Sequence, residues 1–320
     1  MKFRASFSLV PFASCLLLTA LAFSQNPAGN DKAKALNQAV CVLPYGQTID
    51  LPDVPSGLLA WDWMTGLPDS SPLALVSIPA THDAGTALGM TGWTRCQVLT
   101  IPAQLGLGVR GFDIRLRQVN GILGIYHGQE SQKLSFQSVM EAFARFLAAH
   151  PKEFIVMRVR EESKAVNPTQ TFEAAFAKQT QAEPFGKLFY HATSRTEIPT
   201  IGQVRGKIVL LDNYGKLPDA IAYPNPTMSV QDDYDTSDMD KKYKEIVAKF
   251  EDALGRKTGE TWDVNYTSSS TLQVDQLANA KAVNLKVREY LQAKRGHLGL
   301  VLMNFPGVAA IRSIIDSNFL

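Results

Sequence analysis

Three cysteines and five histidines are spread over 320 residues. So few thiols exclude a disulfide-stapled scaffold and the Cys-rich metal modules. The formal charge is +2. With no basic tract and no basic amphipathic helix, neither nucleic acid nor an anionic membrane surface is an expected electrostatic partner. No internal repeat is visible. A long hydrophobic run occurs once, from Phe7 to Phe23, preceded by Lys2 and Arg4 and followed by the small residue Ser24. It is short for a membrane span of roughly 20 residues and reads as a secretory signal over residues 1–24. Cys15 makes a poor lipoprotein site, because the apolar run continues past it. A secreted, extracellular protein is the expectation. Loss of residues 1–24 removes two basic side chains and leaves 30 against 30, a formally neutral mature chain. Cys41 and Cys96 then remain, and whether they pair is open.

Residues 25–44 are polar and Ala-rich, a leader of uncertain order, and residues 45–320 run without a low-complexity break, as a single domain would. From Trp61 onward apolar runs alternate with amphipathic ones. Eight strand candidates stand out: Leu73–Ile78, Val109–Arg115, Ile122–Tyr126, Phe154–Arg160, Lys207–Asp212, Thr227–Asp232, Trp262–Thr267 and Leu298–Asn304. Several are continuous β-branched or apolar runs, the pattern of strands covered on both faces. Ser135 precedes a 3.6-residue stripe of Phe136, Val139, Met140, Phe143, Phe146 and Leu147 that closes at His150-Pro151. Ser237 or Asp238 can cap a helix burying Tyr243, Ile246, Val247, Phe250 and Leu254. Val283, Val287, Tyr290 and Leu291 mark a third, and Val308, Ile311, Ile315 and Phe319 a last one. Helix signals are weakest after the second and seventh strands. The expected fold class is α/β, a distorted TIM (β/α)8-type barrel.

Active sites of such barrels gather at the C-terminal strand ends. Those ends read His82-Asp83, Asp113 with Arg115, His127, Arg160 with Glu161 and Glu162, Asp212-Asn213, Asp232 with Tyr234, Tyr266 with Ser268, and Asn304. Two histidines can act as base and acid near neutral pH, and an arginine fits the forked geometry of a phosphate. Such a set suits phosphodiester cleavage, in which one proton leaves the attacking oxygen, another reaches the leaving oxygen, and negative charge must be stabilised between. A metal centre would want carboxylates where Arg115 stands. His150, His191 and His297 read as structural, and Phe112–Arg115 taken alone could be a buried ion pair that fixes strand order. Trp61 and Trp63 read as packing residues, whereas Trp93, in a loop, is placed to touch lipid.

Ser77–Thr86, Gly108–Arg115, Tyr126–Gly128, Phe154–Arg160, Arg205–Leu211 and Val230–Tyr234 together resemble the bacterial-type phosphatidylinositol-specific phospholipases C. The resemblance spans roughly residues 60–320, and it implies a distorted barrel that needs no metal and no cofactor. It implies attack of the inositol 2-hydroxyl on its own phosphate, releasing diacylglycerol and a 1,2-cyclic inositol phosphate. By resemblance His82 is the general base and His127 the general acid. Arg115 holds the phosphoryl oxygens with Asp83 orienting it, and Asp113 positions its neighbours, including His127. Arg160, Asn213, Asp232 and Tyr234 fall on the inositol-binding positions. The implied partner is a phosphatidylinositol-type lipid, free or glycosylated, met transiently at a membrane surface by a monomer. Asn304 stands where the family commonly has an aspartate, Asn213 where it has an arginine, and Ala80 where it has a glycine. The alternative is therefore a weak or silent barrel that binds an inositol lipid or sugar phosphate. Glycerophosphodiester and sphingolipid phosphodiesterases also place two histidines on a barrel, but they hold a divalent metal, and Arg115 counts against them.

Overall fold

The strand of the first histidine carries a proline, Ile78-Pro79-Ala80-Thr81, and the way the sheet accommodates it sets the start of the barrel. Here the computed structural model, which describes residues 41–42, 48–49, 60–89, 93–181, 183–270 and 276–319, differs from the sequence expectation. Leu73–Leu75 is a 3-10 turn and the strand, β1, is Ile78–Thr81. A proline lacks an N–H for the ladder. On that flank the neighbouring strand begins only at Gly111, opposite Ala80, so no ladder bond is lost. The signal and the leader expected over residues 1–44 lie largely outside the described residues. The chain divides into Met1–Ser56, with an antiparallel pair Cys41–Val42 and Thr48–Ile49, and Gly57–Leu320.

Within the second unit the strands are β1, β2 (Gly111–Val119), β3 (Ile122–His127), β4 (Glu130–Ser135), β5 (Ile155–Glu161), β6 (Ile208–Asp212), β7 (Ile221–Ala222), β8 (Met228–Gln231), β9 (Trp262–Tyr266) and β10 (Leu300–Met303). Eight of them form one parallel path in the order β8-β9-β10-β1-β2-β5-β6-β7. The path curls into a barrel whose open seam lies between β7 and β8, which are consecutive in the chain. Eight barrel strands were expected and eight are present, but they are not the same eight. Ile122–Tyr126 is not a barrel strand. It returns antiparallel on the far half of β2, pairing Val119 with Ile122 and Leu116 with Ile125, and then pairs with β4. Asn120 and Gly121, both at positive φ (50° and 79°), make the tight turn, as an Asn-Gly pair between apolar runs does. The eighth barrel strand is the two-residue β7.

Helices α1 (Ile101–Gly106), α2 (Phe136–Ala149), α3 (Phe172–Thr180), α4 (Ile201–Val204), α5 (Met239–Gly255), α6 (Gln276–Ala293) and α7 (Val308–Asp316) lie between and after the strands. The caps act as the sequence implies. Ser135 accepts from the Ser138 amide at 3.1 Å, and Asp238 from the amides of Asp240 and Lys241 at 3.0 and 2.9 Å. The apolar stripe of α2 packs Phe143 against Phe112 of β2, ring centres 4.9 Å apart. Gly111 is required by closeness: a Cβ there would lie 2.5 Å from Ala80 Cβ. The methyl that Ala80 adds is thus matched by its absence across the ladder. No described helix is long and apolar enough to cross a membrane.

Candidate active site

Residues paired in register across a sheet share a face, and so do residues two apart on one strand. Ala80 pairs with Gly111, Gly111 with Val156, Asp113 with Arg158, and Arg115 with Arg160. Arg158 pairs with Leu211, Leu211 with Ile221, Ala80 with Leu302, and Leu302 with Tyr266. One continuous row therefore starts apolar, with Ile78, Val156, Val209, Val264 and Leu300. It ends polar at the C-terminal side, with His82, Arg115, Arg158, Asn213, Tyr223, Tyr266 and Asn304. The His82, Asn213 and Tyr223 amides continue the ladder, donating to the carbonyls of Met303, Val159 and Asp212. Tyr223 and Tyr266, from strands on either side of the seam, meet hydroxyl to hydroxyl at 3.0 Å. The row faces the inside of the curl.

His82 Nδ1 lies 2.8 Å from Asn304 Oδ1, and Nε2 lies 2.6 Å from Arg115 Nη2. A guanidinium only donates, so Nε2 is the acceptor, and Nδ1 carries the proton and donates it to Asn304. The asparagine is fixed in turn, because its amide donates to Gln276 Oε1 at 3.2 Å. Gln276 also accepts from the Cys96 thiol at 2.8 Å and donates to the Trp93 carbonyl at 2.7 Å. Burial is the main cause that lowers the His82 pKa from its ordinary 6.5; Asp83 and Asp113 act against it and Arg115 with it.

Asp83 adopts φ 47°, a left-handed conformation that aspartate tolerates better than most residues. It sits among the site's nitrogens: Oδ1 is 2.8 Å from Arg115 Nε, and Oδ2 is 3.3 Å from His127 Nε2 and 3.6 Å from His82 Nε2. His127 is the last residue of β3, ahead of the Gly128 turn at φ 58°. Glu162 secures that turn by accepting from the Gly128 amide at 2.8 Å, while its other oxygen lies 3.4 Å from Arg115 Nη1.

Asp113 is completely buried. Burial opposes its ionisation, but Arg158 and then Arg115 outweigh it and hold the carboxyl well below the usual range. Its oxygens lie 2.6 Å from Arg158 Nη1 and 3.1 Å from Arg115 Nε, and it accepts weakly from the Asp83 amide at 3.3 Å. Asp113 was expected to position its neighbours, including His127. Its partners are the two arginines and Asp83, and the carboxylate facing His127 is instead Asp83.

The headgroup positions are more scattered. Arg160 has 45% of its side chain exposed and lies 3.9 Å from Glu162. Asn213 is engaged on both ends of its amide, accepting from Arg158 Nη2 at 2.5 Å and donating to the Tyr223 carbonyl at 2.8 Å. Asp232 is exposed just past β8, near enough for its charge to act on Tyr223 and Lys242. Tyr234 is 60% exposed. Asp212, at another strand end, is structural: it accepts from the Tyr214, Gly215 and Leu217 amides and from Arg195.

Sequence reasoning did not single out Arg158; it named Glu162 only as a strand-end group and Cys96 only as a possible partner of Cys41. Arg158 had left a signal, a charge between Met157 and Val159 inside an apolar strand. Cys96 is a buried free thiol, 3.6 Å from Asp83 Oδ2, with its pKa pushed up chiefly by burial. Of the three histidines read from sequence as structural, two have partners of their own. His150 stacks on Trp61 and lies 2.8 Å from Asp62, and His191 pairs with Asp219 at 3.0 Å. Trp63 is buried and donates to the Gly108 carbonyl.

Two imidazoles and a guanidinium converge at the C-terminal mouth of a parallel barrel, an arrangement able to handle a phosphodiester. Comparison with known proteins agrees. Residues 70–214 match the family described as phosphatidylinositol-specific phospholipase C, X domain. The 1-phosphatidylinositol phosphodiesterase of Listeria monocytogenes serovar 1/2a is 34% identical over 279 residues, covering 80% of this chain and 84% of the relative. The solved phosphatidylinositol-specific phospholipase C from Listeria monocytogenes matches with a TM-score of 0.71 at 29% identity, over 82% of this chain and 100% of that one. A pentafluoro-Phe form of the Staphylococcus aureus enzyme matches with a TM-score of 0.74 at 23% identity, over 82% and 98%; at that identity the likeness speaks to the fold. The chain belongs to the phosphatidylinositol-specific phospholipase C family, and its fold is the distorted TIM barrel of the bacterial members.

Proposed function

We propose that this protein cleaves phosphatidylinositol, or a glycosylated relative, to diacylglycerol and a 1,2-cyclic inositol phosphate by acid–base catalysis without a metal ion. The observation that carries the reading is the meeting of His82, Asp83, Arg115 and His127 around one point, each within 3.6 Å of another member. His82 Nε2, already the unprotonated nitrogen, takes the proton of the inositol 2-hydroxyl. The 2-oxygen bonds to phosphorus and the bond to the diacylglycerol oxygen breaks. His127 gives its proton to that leaving oxygen. Arg115 spreads positive charge over the non-bridging oxygens, and the bound phosphate draws its Nη2 off His82, freeing the lone pair for the substrate. Asp83 steadies Arg115 and His127 together. Asn304 fixes the tautomer of the base without supplying the charge that a carboxylate would.

His82, Asp83 and Cys96 offer donor atoms within 4.8 Å of one another, a spacing a metal could use. Arg115 stands 2.6 Å from the His82 donor and 2.8 Å from Asp83, a fixed positive charge where a cation would have to enter. The protein is proposed to be secreted, from its N-terminal sequence, and to act as a monomer that meets membranes transiently. Trp93 (49% exposed), Leu88 (54%) and Tyr234 (60%) are its candidate lipid contacts. The test is hydrolysis of phosphatidylinositol in detergent micelles with chelator present. Appearance of the cyclic inositol phosphate at an undiminished rate is expected. No cyclic product rejects the activity, and loss of rate to the chelator rejects the metal-free mechanism.

A further inference from the structure

Arg158 is a charge placed inside an apolar strand, and neither the acid–base pair nor the phosphate clamp accounts for it. Its residue is 6% exposed, on the inner face of β5 and in register with Asp113. One Nη lies 2.6 Å from Asp113 Oδ1 and the other 2.5 Å from Asn213 Oδ1, with the guanidinium 4.8 Å over the Tyr223 ring. Nε is buried without a hydrogen-bond partner, so the group is held by its two Nη ends.

We propose that Arg158 is a positioning residue of the phosphodiester site, which neutralises Asp113 from below so that Arg115 stays turned toward His82 and the incoming phosphate. The inference rests on the proposed function and deepens it. Asp113 has two oxygens and three donors. Arg158 satisfies Oδ1, while Oδ2 receives Arg115 Nε and the Asp83 amide. Without Arg158, a buried carboxylate oxygen has no counter-charge, and the nearest replacement is the guanidinium of Arg115. Taking it would pull Arg115 down and away from His82. The charge balance points the same way. Asp83, Asp113 and Glu162 are matched in number by Arg115, Arg158 and Arg160. Loss of Arg158 takes one positive charge from a site that has to hold a phosphodiester anion. Asn213 holds the other arm of Arg158, so the amide at that position serves to aim this arginine.

Arg158→Met removes the charge at similar length and Arg158→Lys keeps it without the fork. Both are compared with wild type, with Asp113→Asn and with the double variant Asp113→Asn/Arg158→Met. Turnover of phosphatidylinositol across pH, thermal unfolding and NMR titration of His82 are measured for each. His82 is faced by Asp83 beside it, Asp113 and Arg115 of β2, Asn304 past β10 and Tyr266 of β9, and it shares Asp83 with His127. The freed charge of Asp113 therefore acts on it directly. Arg158→Met is expected to lower kcat about 10²-fold, the scale of a 1 Å misplacement, and to move the His82 titration and the acid limb of the rate upward. Arg158→Lys is expected to keep most of the rate. The double variant is expected to be no slower than Arg158→Met alone. Loss of rate with an unmoved His82 titration, or fully additive losses in the double variant, overturns the proposal. Should Arg158→Met not fold, Asn213→Ala decides it: unchanged kcat and unchanged His82 titration reject it. A wild type that releases no cyclic product rejects the proposed function instead, and the His82 titrations still report the coupling.

Discussion

Arg110 and Arg115 lie five residues apart, the first just ahead of β2 and the second within it; both stand beside carboxylates, Arg110 buried and Arg115 half-buried. Arg110 has five N–H groups and makes five hydrogen bonds: to Glu153, and to the carbonyls of Leu105, Val109, Ala60 and Trp61. Its face packs on Phe146 at 4.3 Å. Arg115 has its Nε between two aspartates, one Nη 3.4 Å from Glu162, and the other on a histidine lone pair. One guanidinium is saturated by fixed protein oxygens; the other keeps N–H groups that a ligand can claim. Burial and ion pairing alone do not separate a structural charge from a working one. The number of donors left over does.

The largest effect that would sharpen this contrast is on rate. His82→Ala should lower kcat by about 10²–10⁴-fold, the usual share of a general base, with little change in thermal stability. A drop in Tm as large as that of a variant at Arg110 or Glu153 would break the comparison. The same variant should change the pH dependence of stability. Burial keeps the folded-state pKa of His82 below 6.5, so its contribution is present above 6.5 and is lost as pH falls through the lower folded value. His82→Ala should lose that part of the acid dependence.

Next comes the closed end. Glu153→Ala strands Arg110 and should cost about 3–5 kcal/mol of stability, a Tm shift of roughly ten degrees for a body of this size. The kcat of the folded fraction should stay within about twofold of wild type, because no group that meets the phosphate moves. A matching fall in kcat would mean that the two ends are not independent.

The smallest effect is a refinement of the working end. Asn304→Asp sets a carboxylate at 2.8 Å from His82 Nδ1 and should raise the His82 pKa, moving the acid limb of kcat/KM upward. Exchanging a neutral for a charge-assisted hydrogen bond to the imidazolium is worth about 1–1.5 kcal/mol, or about 10-fold in kcat. Tight inositol phosphate binding with no turnover in either form would favour a binding protein over an enzyme.

Much of this was legible in the sequence because the signals were local. Strand runs, the Ser135 and Asp238 caps, and a histidine following an apolar run are all patterns of a few neighbouring residues. What failed was non-local. Ile122–Tyr126 has the composition of a barrel strand, and its place off the barrel is decided by the Asn120-Gly121 turn that folds it back on β2. β7 is two residues long, too short for any pattern, and it is a strand because β6 offers it a free edge. Asp113 was expected to position its neighbours, including His127; it does hold Arg115, but its partner in register is Arg158, on a strand 45 positions downstream. Asn213 was read as a headgroup contact that had lost its charge. In the folded chain the charge stands beside it, on Arg158.

The shared register also sets how this chain can tolerate change in length. Every side chain of the polar crown lies an even number of steps along its strand from the apolar layer beneath. Inserting or deleting one residue inside β2, β5, β9 or β10 would turn that strand's contribution to the mouth toward the helices and bring an outward neighbour in. Length polymorphism should therefore be confined to the loops or occur in steps of two, and an odd-numbered change within a strand would cost the protein its chemistry before its fold.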